Sequence, residues 1–404
     1  MRELTSDCIR EILFKFEQDT SGLHACALVD RKWCQMAIPL LWQNPFREEN
    51  SGDLTKIIDT YVNLFTPQQR QILQLDEPIT TPLFIYPSFV REVDTLIMMI
   101  AVKQWLECRD KIESFLPVLR EIGLTVIKIS KNLMRVYFRD FFQNPQLTNL
   151  VESQVSWLCP NLHYLHFSNI LFDKSIPWII LENVPNLKHL EFTFCQNINT
   201  EQANIHAAAT ICERLTSLII TESDINTDDI CHIIKSASKC LRNFELRSSI
   251  SVATHLLDFL AKYSRNLKDL KIRLNHNHFS DFIQSLRSWE KLEYLLISCD
   301  DIYRPIEIGK YLKKFGGSLP KSLRKLDILC NWNFDSKHLK CFFEVCEAKL
   351  DYIYFGGCQQ FGYDHIQVMI QFLQRSDIFR LIYVHVEDTS LVDSEVTHGR
   401  LVAI

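Results

Sequence analysis

Apolar residues along most of this chain follow two alternating patterns, one of period two and one of period 3.6. A short motif, apolar-x-x-apolar-x-apolar, occurs nine times at intervals of 25 to 31 residues. The copies read LMRVYF from Leu133, LHYLHF from Leu162, LKHLEF from Leu187, LTSLII from Leu215, LRNFEL from Leu241, LKDLKI from Leu267, LEYLLI from Leu292, LRKLDI from Leu323 and LDYIYF from Leu350, and a further candidate, IFRLIY, starts at Ile378. The alternation at the end of each motif predicts a short strand that is buried on one side.

Segments between the motifs carry apolar residues at helical spacing, i, i+3, i+4 and i+7, which is typical of a helix with one buried face. Three clear stripes are Ile230, Ile233, Ile234 and Ala237, then Leu339, Phe342, Phe343 and Cys346, then Ile366, Met369, Ile370 and Leu373. Thr227 is the candidate N-cap of the first stripe. One strand and one helix cannot bury their own apolar faces, whereas stacked copies share a continuous core. The pattern therefore predicts an α/β solenoid.

Nine such motifs in phase resemble the leucine-rich repeat, over residues 130–384. The resemblance implies parallel strands on the concave face of a solenoid and helices on its convex face. The asparagine that often follows the strand in this family is mostly missing, so the turns are expected to use other hydrogen bonds. An ordinary α/β domain of alternating strands and helices is the alternative, and the regular phasing favours the repeat.

The first 46 residues predict three short helices that are rich in apolar side chains. Thr5 or Ser6 can cap the first helix, the second starts near residues 19–21, and the third starts near Arg31. Pro39 lies inside the third pattern and predicts a kink or a restart, because proline removes a helical hydrogen bond.

These residues resemble an F-box of the fungal type. The matching positions are Leu4, Ile9, Ile12, Leu13, Leu23, Leu28, Val29, Trp33, Leu41 and Trp42, with Thr5 where the family usually has proline. The resemblance implies docking on a Skp-type adaptor and, through it, on a cullin. The predicted adaptor-binding residues are Leu4, Ile9, Ile12, Leu13, Leu28, Val29, Trp33, Leu41 and Trp42. The alternative is that Ile12, Leu28 and Trp33 form the core of a small helical domain.

Four regions follow from these patterns: an F-box at 1–46, a helical connector and N-terminal cap at 47–129, about nine repeats at 130–384 and a polar tail at 385–404. Within the connector, 47–53 is polar and reads as a linker, and 76–87 holds three prolines and reads as extended. No chemistry is visible in the connector, and the tail is expected to be partly disordered.

Composition narrows the class of function. The net charge is −5 and no long basic run occurs, which disfavours nucleic acid and anionic membranes as partners. The start of the chain lacks a signal-peptide h-region, and LIMMIAV at 96–102 is too short to span a bilayer. Fourteen cysteines without a C-x-x-C pair favour reduced, buried thiols over a disulfide framework or a zinc site, and so a cytoplasmic or nuclear protein.

Catalytic signatures are missing from the sequence. Only ten glycines occur, and no nucleotide-binding, nucleophile-elbow or HExxH motif is present. His163 and His166 fall on opposite faces of a predicted strand, and His276 and His278 fall in a predicted turn. We therefore expect no enzymatic activity, no cofactor and no metal. A site assembled by the fold is the remaining alternative.

The predicted concave face offers a row of polar and aromatic side chains for an unidentified target protein. The candidate target-binding residues are Arg135, Tyr137, Tyr164, His166, Glu191, Glu245, Arg247, Lys271, Arg273, Tyr294, Tyr352 and Tyr354. Together with the F-box resemblance, this row implies a substrate-recognition subunit of an SCF-type, cullin-RING ubiquitin ligase. The alternative is a leucine-rich-repeat interaction scaffold unrelated to ubiquitination.

Overall fold

The computed structural model describes residues 4–47, 54–75, 81–139, 161–172, 181, 184–198, 212–248, 254–299, 305–356, 358, 362–374, 380–384, 395–396 and 399–403. They belong to two compact units, Met1–Leu187 and Lys188–Ile404. This division falls inside the segment predicted as repeats, and the three predicted domain boundaries stay predictions.

The first unit combines helices with a short parallel sheet. Its helices are α1 (Ser6–Phe14), α2 (Thr20–Ala27), α3 (Arg31–Leu41), α4 (Thr55–Val62), α5 (Pro67–Ile72), α6 (Thr95–Glu107) and α7 (Phe115–Ile129), and its strands are β1 (Glu92–Asp94), β2 (Arg135–Arg139) and β3 (Tyr164–Ser168). Strand β2 pairs in parallel with both β1 and β3. Two short 3-10 turns, Tyr86–Phe89 and Ile112–Ser114, complete the description.

The first three helices form a small module, residues 4–47, that we call the N-terminal module. Thr5 caps α1, as predicted, and accepts a hydrogen bond of 3.3 Å from the backbone N–H of Cys8. Asp19 and Asp30 cap α2 and α3 in the same way. Helix α3 continues through Pro39 to Leu41, so the predicted restart does not occur. The core of the module consists of Ile9, Leu13, Leu23 and Ala37.

The connector packs around large aromatic side chains. Tyr61 on α4 and Trp105 on α6 are both fully buried. Phe46 stacks on Tyr61 with ring centroids 5.8 Å apart, and Trp42 meets Tyr61 edge to face at 6.1 Å. The described residues of 54–129 contain helices α4 to α7 and a strand, β1, that the sequence patterns missed.

A repeated backbone contact joins the N-terminal module to the sheet of the first unit. In each step, one carbonyl oxygen accepts hydrogen bonds from two consecutive N–H groups in the next segment. The carbonyl of Gln43 accepts from Arg91 and Glu92 at 2.7 and 3.0 Å. The carbonyl of Arg91 accepts from Met134 and Arg135 at 2.8 and 3.0 Å, and that of Met134 accepts from His163 and Tyr164 at 2.9 and 3.1 Å. We call this series the carbonyl ladder. It begins at the end of α3 rather than at the first predicted repeat.

The second unit is a mainly parallel sheet with a layer of helices. Its strands are β4 (His189–Thr193), β5 (Ser217–Thr221), β6 (Asn243–Arg247), β7 (Asp269–Leu274), β8 (Tyr294–Cys299), β9 (Ile306–Glu307), β10 (Lys325–Leu329), β11 (Trp332–Asn333), β12 (Tyr352–Gly356), β13 (Arg380–Val384), β14 (Glu395–Val396) and β15 (Gly399–Ala403), and its helices are α8 (Thr227–Ser236), α9 (Thr254–Tyr263), α10 (Phe279–Ser285), α11 (Gly309–Gly316), α12 (Ser336–Val345) and α13 (Tyr363–Gln374). The sheet order is β4-β5-β6-β7-β8-β10-β12-β13-β15-β14, and β9 pairs with β11 separately. Among the described strands, only β14 pairs antiparallel with its neighbour. Within this unit, a series of backbone contacts of the same kind runs from Lys188 to Arg324.

Strand burial alternates as the motifs predict. In β7, Leu270 and Ile272 are fully buried, whereas Lys271 between them is partly exposed. Successive helices from α8 to α13 contact their neighbours in order, which forms the helical layer. A strand lies on each of the nine motifs, and β13 lies on the further candidate, so the prediction of an α/β fold with parallel strands in series is confirmed.

Serine side chains supply hydrogen bonds in the turns that follow β5 and β6. The backbone N–H of Cys195 donates to Ser223 Oγ at 3.0 Å, and Ser248 Oγ donates to the carbonyl of Ser223 at 2.9 Å. These short side chains supply the hydrogen bonds that the turns were expected to find elsewhere.

Two predictions for the second unit were wrong in detail. The N-cap of α8 is Asn226 rather than Thr227. Cys299 at the end of β8 and Cys330 directly after β10 are joined by a disulfide, so not every cysteine is reduced. Within the predicted polar tail, Glu395–Val396 and Gly399–Ala403 form β14 and β15, and β15 pairs in parallel with β13.

Candidate protein-interaction surfaces

The N-terminal module exposes large apolar side chains at one end. Leu28 and Val29 are 81% and 61% exposed in the turn between α2 and α3, and Leu4 is 48% exposed. Lys32 Nζ donates a hydrogen bond of 2.6 Å to the carbonyl of Leu4, which ties the start of the chain to the start of α3. Asp30 caps α3 and so fixes the turn that carries Leu28 and Val29. We call Leu4, Leu28 and Val29 the apolar tip.

Helix α1 adds two further exposed apolar side chains, Ile12 at 36% and Phe14 at 59%. Sequence reasoning missed Phe14, although the phase of the helix could have revealed it. Ile9, Leu13 and Phe16 account for the buried stripe of this segment, and Phe14 falls outside that stripe.

The remaining predicted adaptor-binding residues have other positions. Ile9 and Leu13 are each 1% exposed in the core of the module, so both are removed from the set that can contact a partner. Trp33 and Leu41 are partly buried and pack against the same core. Trp42 lies against the connector instead, with its ring centroid 4.3 Å from that of Tyr86.

In the first unit, the exposed side of β2 and β3 brings four predicted target-binding residues together. The rings of Tyr137 and Tyr164 lie 5.2 Å apart, and those of Tyr137 and His166 lie 6.0 Å apart. Arg135 forms an ion pair of 2.9 Å with Glu92 on β1. Burial is the main cause that raises the pKa of Tyr137 above its usual value.

In the second unit, the exposed side of the sheet has one charged part and one aromatic part. We call this side of β4 to β12 the strand face. The charged part centres on Glu245, a buried carboxylate on β6 that pairs with Arg247 and with Lys271, the latter at 3.0 Å. Arg273 pairs with Glu222 at 2.6 Å. Buried Glu245 therefore holds two cations in place.

Glu191 lies at the other end of the charged part. It is in register with Ile219 on β5, and Ile219 is in register with Glu245. Thr193 Oγ1 donates a hydrogen bond of 3.5 Å to Glu191. The structure thus places every predicted residue from Glu191 to Arg273 on one side of one sheet.

The aromatic part lies on β8, β10 and β12. Tyr294 donates a hydrogen bond of 2.5 Å to Asp327 Oδ2, and Tyr352 hydrogen-bonds the same carboxyl group. Burial raises the pKa of Asp327 and, as the largest cause, that of Tyr294 as well. Tyr354 is in register with Asp327. The candidate target-binding residues include the three tyrosines but not the carboxylate that connects two of them.

Apolar side chains accompany these tyrosines. Leu296 on β8 is in register with Asp327, although it occupies an outward position, and Leu329 lies two residues further along β10. The side chains of Leu329 and Tyr354 occupy the space next to Gly356. A Cβ at that position would lie 2.9 Å from atoms of both side chains. The aromatic part therefore offers apolar contact next to a carboxylate.

No group of three or more metal-ligating side chains occurs among the residues that the structure describes. His276 and His278 lie in a 3-10 turn, as the sequence indicated. Within the same described ranges, no helix combines the length and the apolar character needed to cross a bilayer.

No protein-family profile matches the sequence, and no curated protein sequence matches it. Among solved structures, a chain in the crystal structure of the Rad7 and Elc1 complex in yeast is similar. The alignment covers 83% of this chain and 78% of that chain, with 14% sequence identity and a TM-score of 0.38. A similarity at this level supports no inference about function.

Proposed function

We propose that this protein is the substrate-recognition subunit of an SCF-type ubiquitin ligase. In this proposal the N-terminal module is an F-box that docks on a Skp-type adaptor, and the repeats bind a target protein. The chain contributes no catalytic residue and no cofactor. It acts by holding the target near the ubiquitin-charged enzyme, which raises the effective concentration of the reacting groups.

The apolar tip is the observation that carries the proposal. Single exposed apolar side chains are common, but contiguous ones mark interaction sites. Leu28 and Val29 are adjacent and mostly exposed, and the bond from Lys32 brings Leu4 to the same end of the module. Their burial by a partner would stabilise the complex by about 25 cal/mol for each Å² of apolar surface removed from water.

A substrate receptor also needs a fixed geometry between its docking site and its binding face. Three contacts of Gln43, Trp42 and Asn44 supply this geometry within the first unit. The carbonyl of Gln43 starts the carbonyl ladder, Trp42 packs on Tyr86, and Asn44 Nδ2 donates to Glu92 at 3.2 Å. Such contacts favour a proximity mechanism over a flexible tether.

The test is binding of the purified full-length protein to a purified Skp-type adaptor, measured by surface plasmon resonance. We expect Leu28→Asp with Val29→Asp to weaken binding by at least about tenfold, because a charge buried at an apolar interface costs free energy. The matched control is Ile72→Asp on α5, since Ile72 is 77% exposed and lies outside the module. Circular dichroism checks that each variant is folded.

The proposal fails if the unaltered protein does not bind the adaptor, or if the control weakens binding as much as the double variant. The scaffold alternative then becomes the better description, since the strand face does not depend on the adaptor. An enzyme whose site is assembled by the fold has no specific observation in its favour.

A further inference from the structure

Asp327 differs from Glu245 and Glu222 on the strand face in its counter-ions. Glu245 and Glu222 each lie within 4.0 Å of a cationic side chain. No cation among the described residues lies that close to Asp327, and Lys271 and Lys325 affect its pKa only from a greater distance. Asp327 is therefore a partly buried carboxylate without an ion pair, which is an unfavourable state that a cationic ligand would relieve.

The hydrogen bonds of Asp327 place two tyrosine rings, which attract cations, next to its carboxylate. Tyr294 and Tyr352 both bond this carboxyl group, while its second oxygen, Oδ1, is buried and accepts no hydrogen bond. A phenol that donates to a carboxylate gains electron density in its ring, and cations bind to electron-rich ring faces. Lys271 Nζ already lies 5.9 Å from the ring centroid of Tyr294, on the charged side of the strand face.

The local charge favours a cationic occupant over an anionic one. Asp269 on β7 is in register with Tyr294 and adds a second carboxylate, and burial raises its pKa as well. Lys325 lies in register between Tyr294 and Tyr352 and is the cation of this group. Lys271 and Arg247 share the single carboxylate of Glu245, so the net negative charge is that of Asp269, Asp327 and Lys325 alone.

We infer that the Tyr294–Asp327–Tyr352 cluster binds an arginine side chain of the target protein. The planar guanidinium stacks on tyrosine faces and is attracted by the carboxylate that the tyrosine hydroxyl groups bond, and Leu329, which is partly exposed, offers apolar contact to the aliphatic stem of the side chain. This inference rests on the proposed function for its occupant, a segment of a target protein. It adds the chemical class that the strand face selects.

The experiment uses the full-length protein without adaptor and three synthetic peptides, so its outcome is separate from that of the adaptor test. Each peptide is an uncharged glycine–serine–leucine host with capped ends and one central residue: arginine, lysine or citrulline. Citrulline has the shape of arginine but no charge. Isothermal titration calorimetry is expected to give a dissociation constant of about 1 mM or below for the arginine peptide. The citrulline peptide should bind about tenfold or more weakly, and the lysine peptide should fall between the two.

Two variants locate the site. Asp327→Asn keeps the size and the acceptor oxygen but removes the charge, and should weaken binding of the arginine peptide by about tenfold. Tyr294→Phe removes the hydrogen bond and should weaken it less. Asp258→Asn, which removes an exposed carboxylate from α9 in the helical layer, should leave binding within about twofold of the original value, because its charge is screened by solvent.

Equal binding of the arginine and citrulline peptides would overturn the inference, as would no binding of the arginine peptide at millimolar concentration. An equal loss from Asp258→Asn and Asp327→Asn would also overturn it, because the effect would then be general electrostatics. Retained binding to the adaptor in any of these cases leaves the proposed function standing.

Discussion

The indole N–H of Trp105 donates a hydrogen bond of 2.5 Å to the carboxylate of Asp59. Trp105 is fully buried. Arg109 forms an ion pair of 2.8 Å with the same carboxylate, and its guanidinium carbon lies 4.2 Å from the centroid of the indole ring. One acid on α4 thus satisfies a buried donor on α6 and a cation two residues beyond the end of that helix. The contact links two helices of the connector that the sequence patterns place far apart.

We predict that Asp59→Ala destabilises the first unit by about 2 kcal/mol, because the indole N–H of Trp105 would be buried without an acceptor. Urea denaturation followed by tryptophan fluorescence measures the change. Asp59→Asn is the control, since its amide oxygen still accepts the hydrogen bond, and it should lose less. Equal stability of the alanine variant and the original protein would contradict the assigned role.

Two adjacent glycines at the end of α11 differ in their surroundings. A Cβ on Gly316 would lie 2.5 Å from the carbonyl oxygen of Phe342 on α12, whereas a Cβ on Gly317 would meet its nearest neighbour at an ordinary 3.6 Å. We predict that Gly316→Ala destabilises the second unit by about 1 to 3 kcal/mol through overpacking. Gly317→Ala should be neutral or slightly stabilising. Thermal unfolding of both variants provides the comparison. An equal change in stability at the two positions would contradict the close contact between α11 and α12 at Gly316.

Asp327 gives the stability of the second unit a defined dependence on pH. Burial raises the pKa of Asp327, so the folded protein holds this proton to a higher pH than the unfolded chain does. The free energy of unfolding contributed by Asp327 therefore falls as pH rises from the usual carboxyl pKa through the raised one. We predict that Asp327→Asn gains stability relative to the original protein over this window. Urea midpoints at several pH values test the sign, and a difference that shrinks with rising pH would contradict the raised pKa.

Cysteine reactivity should follow burial. Cys8 and Cys108 are exposed, whereas burial raises the pKa of Cys212 and, as the larger of two causes, that of Cys358 to about 12 in each case. Because the thiolate is the reactive form, we predict that iodoacetamide at neutral pH modifies Cys8 and Cys108 first. Mass spectrometry of peptides from the folded protein measures the order. Early modification of Cys212 would contradict the burial of β5 and its flanking turn.

The regular part of the fold could be read from the sequence because each strand contributes the same three apolar positions. Leu270 and Ile272 are buried where the motif predicts, and Lys271 is outward. Strand β1 escaped notice for two reasons. The motif that would start at Val90 has Thr95 at its last position, where the other copies have an apolar residue. Val90 also lies 43 residues before Leu133, which is longer than the spacing of the repeats.

The candidate sites were predictable to a smaller extent. A helical stripe shows which positions are apolar, but it does not separate a core residue such as Ile9 from an exposed one such as Leu28. That separation depends on how α1 packs against α3, which is a tertiary property. Asp327 was not selected as a candidate for a similar reason, since its significance comes from two tyrosines on neighbouring strands.

The start of the carbonyl ladder at Gln43 affects how this protein can be rebuilt. The N-terminal module supplies the first carbonyl, so it is part of the scaffold of the first unit as well as a docking element. A different helical module could replace this one only if it met two conditions. It would have to place a backbone carbonyl where that of Gln43 accepts from Arg91, and an aromatic ring where Trp42 packs on Tyr86. Deleting the module would leave the N–H groups of Arg91 and Glu92 without their acceptor, so a truncated chain is a poor control for loss of docking.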